Sequence, residues 1–390
     1  MSAPTGDCGT KTGSPSTAES WKSLSGSINL TGNLHTQRAK LEKTYMRKAT
    51  INDVAKLAGV SMKTVSRVVN NEPNVRDLTR DKVSKAVAEL NYRPLQSARD
   101  LASNHTHLIV LVYDDPSAYD IPSAGYIIKM QQGALRACKS NNYGLLIYPC
   151  NYRKKEIYSE FKALTQQIRP AGFVLAAPLS NMPKVVRAIK ATDTPFVLLS
   201  PGKDSRSRVS IATDDREISA EMTRYLASLG HRTIAFIAGH PSHKAVMNRL
   251  HGYKDGLEQS GLKFSERLVA QGDNSLRSGE VAATKLLSRK KAPTAIFAAN
   301  DDLAAGVIRA ADRLGIKVPQ QVSVTGCDDI TLAQQVYPAL TTIRQPLARM
   351  AERATLALID KSRPLSARKG TETVPGELQF RGSTGPAPTS

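Results

Sequence analysis

The sequence predicts an all-helical N-terminal unit joined to a larger α/β region built on two parallel sheets. Three observations support this. Residues 50–90 place apolar side chains at helical spacing, broken once at Gly59. From Leu108 onward the pattern becomes apolar run, turn, amphipathic stretch, repeated about ten times. Between the two patterns, Pro94 closes the first because it cannot continue a helix and restricts Arg93 before it.

In chain order, residues 1–45 are rich in Ser, Thr, Gly and Lys without periodicity and are expected to be disordered. Met46 stands directly before the first patterned segment and is a possible true start. Residues 46–95 form the helical unit. Thr50 is placed to cap a first helix whose inner face carries Ile51, Val54, Ala55, Leu57 and Ala58. Gly59 and Val60 make a tight turn, and Ser61 caps a second helix with Val65, Val68 and Val69 inward. A third helix runs from about Leu78 to Leu90, with Val83, Ala86, Val87 and Leu90 on its buried side. Residues 96–106 read as a short amphipathic linker.

Strands are expected at Leu108–Val112, Leu145–Tyr148, Phe173–Ala176, Phe196–Leu199, Ile234–Ala238, Ala295–Ala298 and Val322–Thr325. Tyr126–Ser140, Ile218–Leu229, Val281–Leu287 and Leu303–Leu314 are expected helices between them. Continuously apolar strands alternating with helices imply sheets covered on both faces. The number of such units exceeds one small sheet, so residues 107–384 are expected to form two lobes. The tail after Gly382, and residues 385–390 in particular, is rich in Pro, Ser and Thr and expected to fray.

Composition narrows the function. Hydrophobic residues make up 41% and charged residues 23%, as in a globular protein. No apolar run reaches the roughly 20 residues that span a bilayer, and the first 30 residues lack a secretory core, so no membrane partner is expected. Cys8, Cys138, Cys150 and Cys327 are far apart, which predicts inert thiols, no metal site and a reducing, cytoplasmic setting. The formal net charge of +20 suits a nucleic-acid partner. Only +5 of it falls within residues 46–107, however, so charge alone does not decide the matter.

The run Thr50 to Asn70 is more specific. A short helix, a Gly turn and a second helix dense in hydrogen-bond donors suit a helix-turn-helix. Ser61, Met62, Lys63, Thr64, Ser66 and Arg67 occupy the first two turns of the second helix, where side chains reach base edges, with Thr50 before the first helix and Asn70 after the second. Together with Val83, Ala86, Leu90-Asn91-Tyr92, Pro94 and Ala98-Arg99-Asp100-Leu101-Ala102, this segment closely resembles the LacI family of bacterial regulators. The resemblance implies a ligand-switched regulator that binds a near-palindromic double-stranded DNA operator as a homodimer. It implies that Met62, Lys63 and Arg67 choose the operator sequence. It also implies that Leu101, in a hinge helix, wedges into the minor groove.

Residues from about Leu108 to Ser383 resemble the family's periplasmic-binding-protein-like effector domain, clearest around Leu229–Gly239, Asn248–Tyr253, Ala298–Ala305, Val322–Asp329 and Pro338–Gln345. The implied fold is a helix-turn-helix unit, a hinge helix and a two-lobed parallel-sheet sensor. Arg249, Asn300 and Asp328 match its effector-contacting positions, and Gln345 another at a lobe crossing. Asn300 and Asp328 also suit plain helix caps. In the first lobe the chain departs from better-known members at Ser200, leaving Tyr113, Asp114 and Tyr119 as weaker cleft candidates. A sugar or oligosaccharide effector is expected first, with a purine, an acidic sugar or a sugar phosphate left open.

Catalysis finds no support: there is no nucleophile elbow, P-loop or HExxH pair, and no cofactor motif. Asp214-Asp215, Asp301-Asp302 and Asp328-Asp329 all follow strands, where ligand binding and helix capping account for them. A solute-binding protein of a transporter shares the sensor fold, but lacks a helix-turn-helix. No leucine-heptad helix follows the last strand, which favours a dimer over a tetramer.

Overall fold

The computed structural model describes residues 49–70, 72–92, 106–114, 124–201, 209–360, 362, 365–367 and 370–389. The expected N-terminal extension, Met46, most of the hinge with Leu101, and Tyr119 lie outside them. The chain divides into two units, Met1–Leu95 and Gln96–Ser390.

In the first unit, α1 (Ile51–Ala58), α2 (Met62–Val69) and α3 (Asp77–Glu89) enclose a small core of Val54, Ala55, Val65, Val68, Val83 and Ala86. Thr50 caps α1 reciprocally with Asp53: its hydroxyl accepts from the Asp53 amide at 3.4 Å, and its own amide donates to the Asp53 carboxylate at 2.9 Å. Gly59 follows in the left-handed region at φ 66°, a conformation that costs a side-chain-bearing residue most of a kilocalorie or more. Ser61 then caps α2, accepting from the Thr64 amide at 3.2 Å. Leu57, expected inside, is 47% exposed, since it projects well off the stripe defined by Val54 and Ala55.

The second unit holds two six-stranded sheets. The first contains β1 (Leu108–Asp114), β2 (Gly144–Cys150), β3 (Gly172–Leu175), β4 (Phe196–Leu199), β5 (Ser210–Ala212) and β11 (Thr371–Thr373), in the order β11-β5-β4-β3-β1-β2, all parallel. The second contains β6 (Ile234–Ala238), β7 (Val269–Gln271), β8 (Ala295–Ala298), β9 (Ser323–Cys327), β10 (Thr341–Arg344) and β12 (Glu377–Gln379). Its order is β12-β10-β9-β8-β6-β7, parallel except for the antiparallel β10–β12 pair.

The period of two along each strand explains the layers. Ile109 and Leu111 of β1 face one core with Val174, Val197 and Leu199, while Val110 and Val112 face the other with Phe173, Leu175 and Leu198. The first face is covered by α4 (Ala124–Ser140) and α12 (Leu347–Ile359), the second by α5 (Ile157–Ile168) and α6 (Pro183–Lys190). Helices α7 (Asp215–Ser228), α8 (Lys244–Gln259), α9 (Leu276–Leu287) and α10 (Asp301–Arg313) sandwich the second sheet, and the short α11 (Leu332–Gln335) follows β9. The backbone passes between lobes three times: from β5 to α7, from β10 to α12, and from β11 to β12.

The C-terminal segment was expected to fray, and it does not. Ser383 is fully buried and its hydroxyl donates to the Val324 carbonyl at 2.6 Å, while the Ala387 amide donates to the Leu229 carbonyl at 2.8 Å. Its small polar residues satisfy the backbone along β9, which composition alone does not reveal. Among the described residues, no helix is long and apolar enough to cross a membrane, and no group of three His, Cys, Asp or Glu is placed to hold a metal.

Candidate effector cleft and DNA-reading helix

Parallel strands send their C-terminal ends, and the loops that follow, to one edge of each sheet, where such folds bind ligands. Here these loops line a cavity between the lobes with about 1030 Å³ of empty space, its open mouth included. The first lobe contributes Asp114 at the end of β1, Tyr152 and Arg153 after β2, Ala177 and Pro178 after β3 and Ser200 after β4. Tyr126 and Ile127 of α4 add an apolar wall. The second lobe contributes His240 after β6, Asp273 and Asn274 after β7, Asn300 after β8, Asp328 after β9 and Gln345 after β10. Helix α8 adds Val246 and Arg249.

Arg249 is the electrostatic centre. It is buried, and its Nε donates to Asp215 Oδ1 at 2.8 Å, its Nη1 to the Ala299 carbonyl at 2.5 Å, and its Nη2 lies 3.8 Å from Asp328 Oδ1. A buried guanidinium is tolerable only with such partners. Gln345, at the β10–α12 crossing, donates its amide to the same Asp328 oxygen, leaving the other carboxylate oxygen for the cavity. Burial pushes the Asp328 and Asp215 carboxyls up from their ordinary range, and Arg249 pulls both back. Asp328 and Ser200 both have φ in the left-handed region, at 121° and 47°, so side-chain-bearing residues carry backbone strain at the cleft.

Asn300 performs two tasks. Its Oδ1 accepts from the Leu303 amide at 2.9 Å, capping α10, and its Nδ2 donates to the Asn274 carbonyl at 3.0 Å. The capping role expected for Asn300 is therefore present alongside its place on the cavity wall. Asp328 caps nothing. The other paired carboxylates also differ from the expected capping role. Asp214 accepts from the Gly376 amide at 2.9 Å at a lobe crossing. Asp301 accepts from the Ile330 amide and the Thr342 hydroxyl, and Asp329 receives Arg344 and Arg381.

Of the effector residues expected from sequence, Arg249, Asn300, Asp328, Gln345 and Asp114 meet at the cavity. Tyr113 does not: one position along β1 from Asp114, it points to the opposite face and packs into the core beside α4. Sequence reasoning missed Tyr126, Tyr152, His240 and His243. His240 stands after the apolar β6 as Asn300 stands after the apolar β8, and that placement is a signal by which it could have been found. Asn274 follows β7, which is too short and too little apolar to be recognised.

His240 and His243 are specific in their chemistry. His240 Nδ1 accepts from the Ser242 amide at 3.2 Å, which places the ring proton on Nε2 as a donor. Burial, with His240 and Arg249 nearby, holds the His243 imidazole down at about 4.

In the first unit, Val65 and Val68 turn inward, so Met62, Lys63 and Arg67 lie exposed on the opposite face of α2. Thr64 and Ser66 are half-buried, Ser61 is engaged in capping, and the Asn70 amide donates to the Ser66 hydroxyl at 3.3 Å. Arg67 is held loosely by Glu72 at 3.7 Å. The arrangement offers a cationic and thioether-bearing face on which Arg67 is only loosely engaged by Glu72.

A helix-turn-helix unit followed by a two-lobed ligand-binding domain defines a class: a DNA-binding regulator with an effector sensor. Comparison with known proteins agrees. Residues 50–95 match the model for bacterial regulatory proteins of the lacI family, and residues 223–384 that for a periplasmic binding protein-like domain. The chain is 35% identical to the HTH-type transcriptional regulator DegA of Bacillus subtilis, over 88% of this chain and all of DegA. It is 36% identical to the HTH-type transcriptional regulator GalR of Escherichia coli, over 81% of this chain and 91% of GalR. Among solved structures, it resembles the lac repressor dimer bound to operator and the anti-inducer ONPF, with a TM-score of 0.70, 27% identity, and coverage of 87% of this chain and 100% of that one. The complex of the transcriptional regulator CelR with cellobiose gives a TM-score of 0.65 at 26% identity, covering 86% and 99%. The chain belongs to the LacI family of helix-turn-helix transcriptional regulators and carries that family's effector-binding domain.

Proposed function

We propose that the protein is a cytoplasmic homodimeric repressor of genes for carbohydrate uptake or catabolism. It binds a near-palindromic operator and is switched by a sugar held between its lobes. The observation that carries this reading is the cavity itself. Arg249, Asp328 and Asn300 converge on it from three elements, with two tyrosines on the opposite wall. A carboxylate oxygen, a guanidinium edge and an amide satisfy vicinal hydroxyls, and Tyr126 and Tyr152 offer apolar faces to a sugar ring. The cellobiose bound by CelR and the ribose bound by a LacI-family regulator from Enterococcus faecium support the ligand class.

On DNA, Met62, Lys63 and Arg67 read base edges, and Ser61, Thr64, Ser66, Thr50 and Asn70 position the helix on phosphates. Leu101 wedges the central step from the hinge. Ligand acts by binding the DNA-competent and DNA-incompetent states with different affinity. A gel shift with DNA upstream of the protein's own gene tests the reading. A shift lost in Arg67→Ala and altered by a sugar supports it, whereas binding insensitive to both contradicts it.

A further inference from the structure

Whether the ligand carries charge is decided by what neutralises Arg249. A lone guanidinium in a cleft would invite a carboxylate or phosphate. Here its Nε–H is taken by Asp215, which is itself buried, and its Nη1–H by the Ala299 carbonyl. Asp328 lies against the remaining edge at 3.8 Å. Asp215 thus answers the guanidinium before any ligand arrives, and Asp328, whose carboxyl burial pushes up to about 7, is a second and weaker counter-charge.

The rest of the wall adds no surplus positive charge. Asp114 and Asp273 line the cavity as well, and Asp273 is fixed by the Ser275 amide at 2.9 Å and the Ser275 hydroxyl at 2.5 Å. The other lining arginine, Arg153, is exposed and lies 5.7 Å over the Tyr152 ring. His240 presents a donor, and His243 is kept neutral by burial, with Arg249 nearby. The tyrosine across the cleft reports the same field. Burial pushes the Tyr126 hydroxyl's pKa far above its ordinary value, Asp328 and Asp215 push it further, and Arg249 opposes them. An anion placed beside Tyr126 meets that field too.

We infer that the cleft is built for an uncharged polyhydroxylated ligand, and that Asp215, from behind the wall, excludes anionic analogues by cancelling Arg249. This rests on the sugar reading above and narrows it to neutral sugars and glycosides. Hydroxyls are recognised by Asp328, the Arg249 Nη2 edge beside it and His240 Nε2, without a net charge transfer into the cleft. Asp215 is a specificity-determining residue that does not line the cavity.

The test is calorimetric titration of the full-length protein with matched pairs: glucose against glucuronate and glucose 6-phosphate, galactose against galacturonate, and cellobiose against cellobionate. Purine bases are titrated alongside. The inference predicts that any neutral sugar that binds loses at least about tenfold in affinity when a carboxylate or phosphate is added. In Asp215→Asn that ratio narrows severalfold, and binding of the anion becomes salt-sensitive. If Asp215→Asn does not fold, Asp215→Ser, which also removes the counter-charge from behind the wall, must move the ratio the same way. An anionic sugar binding as tightly as its neutral partner overturns the inference while leaving the sugar reading intact. An unchanged ratio in a folded variant overturns the role of Asp215. Binding of purines alone, or of nothing in the panel, overturns the sugar reading and the inference together.

Discussion

At the scale of single residues, Arg249 shows how one side chain serves structure and signal together. Its removal leaves the buried Asp215 carboxylate without a partner, the costly half of a broken ion pair. Arg249→Met is expected to lower unfolding stability in urea by about 3 kcal/mol and to abolish any ligand-induced rise in melting temperature. His243 makes a different demand. Its folded value of about 4 lies below the ordinary 6.5, so the unfolded chain takes up a proton that the folded one refuses. The stability it contributes is fully present above about pH 6.5 and is lost as pH falls toward 4. Between pH 7 and pH 5 the ligand-free wild type is expected to lose roughly 1–2 kcal/mol more than His243→Gln does, as read by parallel urea titrations. Equal losses would remove His243 from the account. On α2, Arg67→Ala is expected to weaken specific operator binding by about 1–3 kcal/mol while leaving non-specific binding nearly unchanged, as read by anisotropy at fixed salt.

Elements were legible in the sequence to the degree that their burial was two-sided. Strands β1, β6 and β8 are continuous apolar runs because helices cover both faces, and they were recognised within a few residues. Strands β5, β7, β10, β11 and β12 are three or four residues long, and β11 is exposed throughout, so no apolar run announced them. The lobe crossings were therefore hidden, although Gln345 at one of them was found through the family resemblance. The same limit applied to the cleft: polar residues after long strands were visible, whereas Asn274 after β7 and the α4 tyrosine were not. Tyr113 was misplaced by a single position, which in a strand reverses the face. Close packing between elements was invisible as well. A Cβ on Gly133 of α4 would fall 1.8 Å from the Ala348 carbonyl oxygen of α12. Gly133→Ala is therefore expected to destabilise the effector domain by about 1–3 kcal/mol in denaturant titration, despite alanine's better helix propensity.

At the scale of the whole molecule, the two units have separate cores and separate chemistries, one a helix-turn-helix of the family's DNA-binding kind, the other the family's effector-binding domain. Regulation requires only that ligand affinity differ between the states that bind DNA and those that do not, and the coupling is then reciprocal. The measurement that tests this most directly is fluorescence anisotropy of DNA from upstream of the protein's own gene, titrated with full-length protein with and without the neutral sugar that binds. The account predicts an operator dissociation constant that changes at least about tenfold with saturating sugar, and a change in sugar affinity by the same factor and in the same direction when operator is bound. An operator affinity that does not change while the cleft is demonstrably occupied would contradict it.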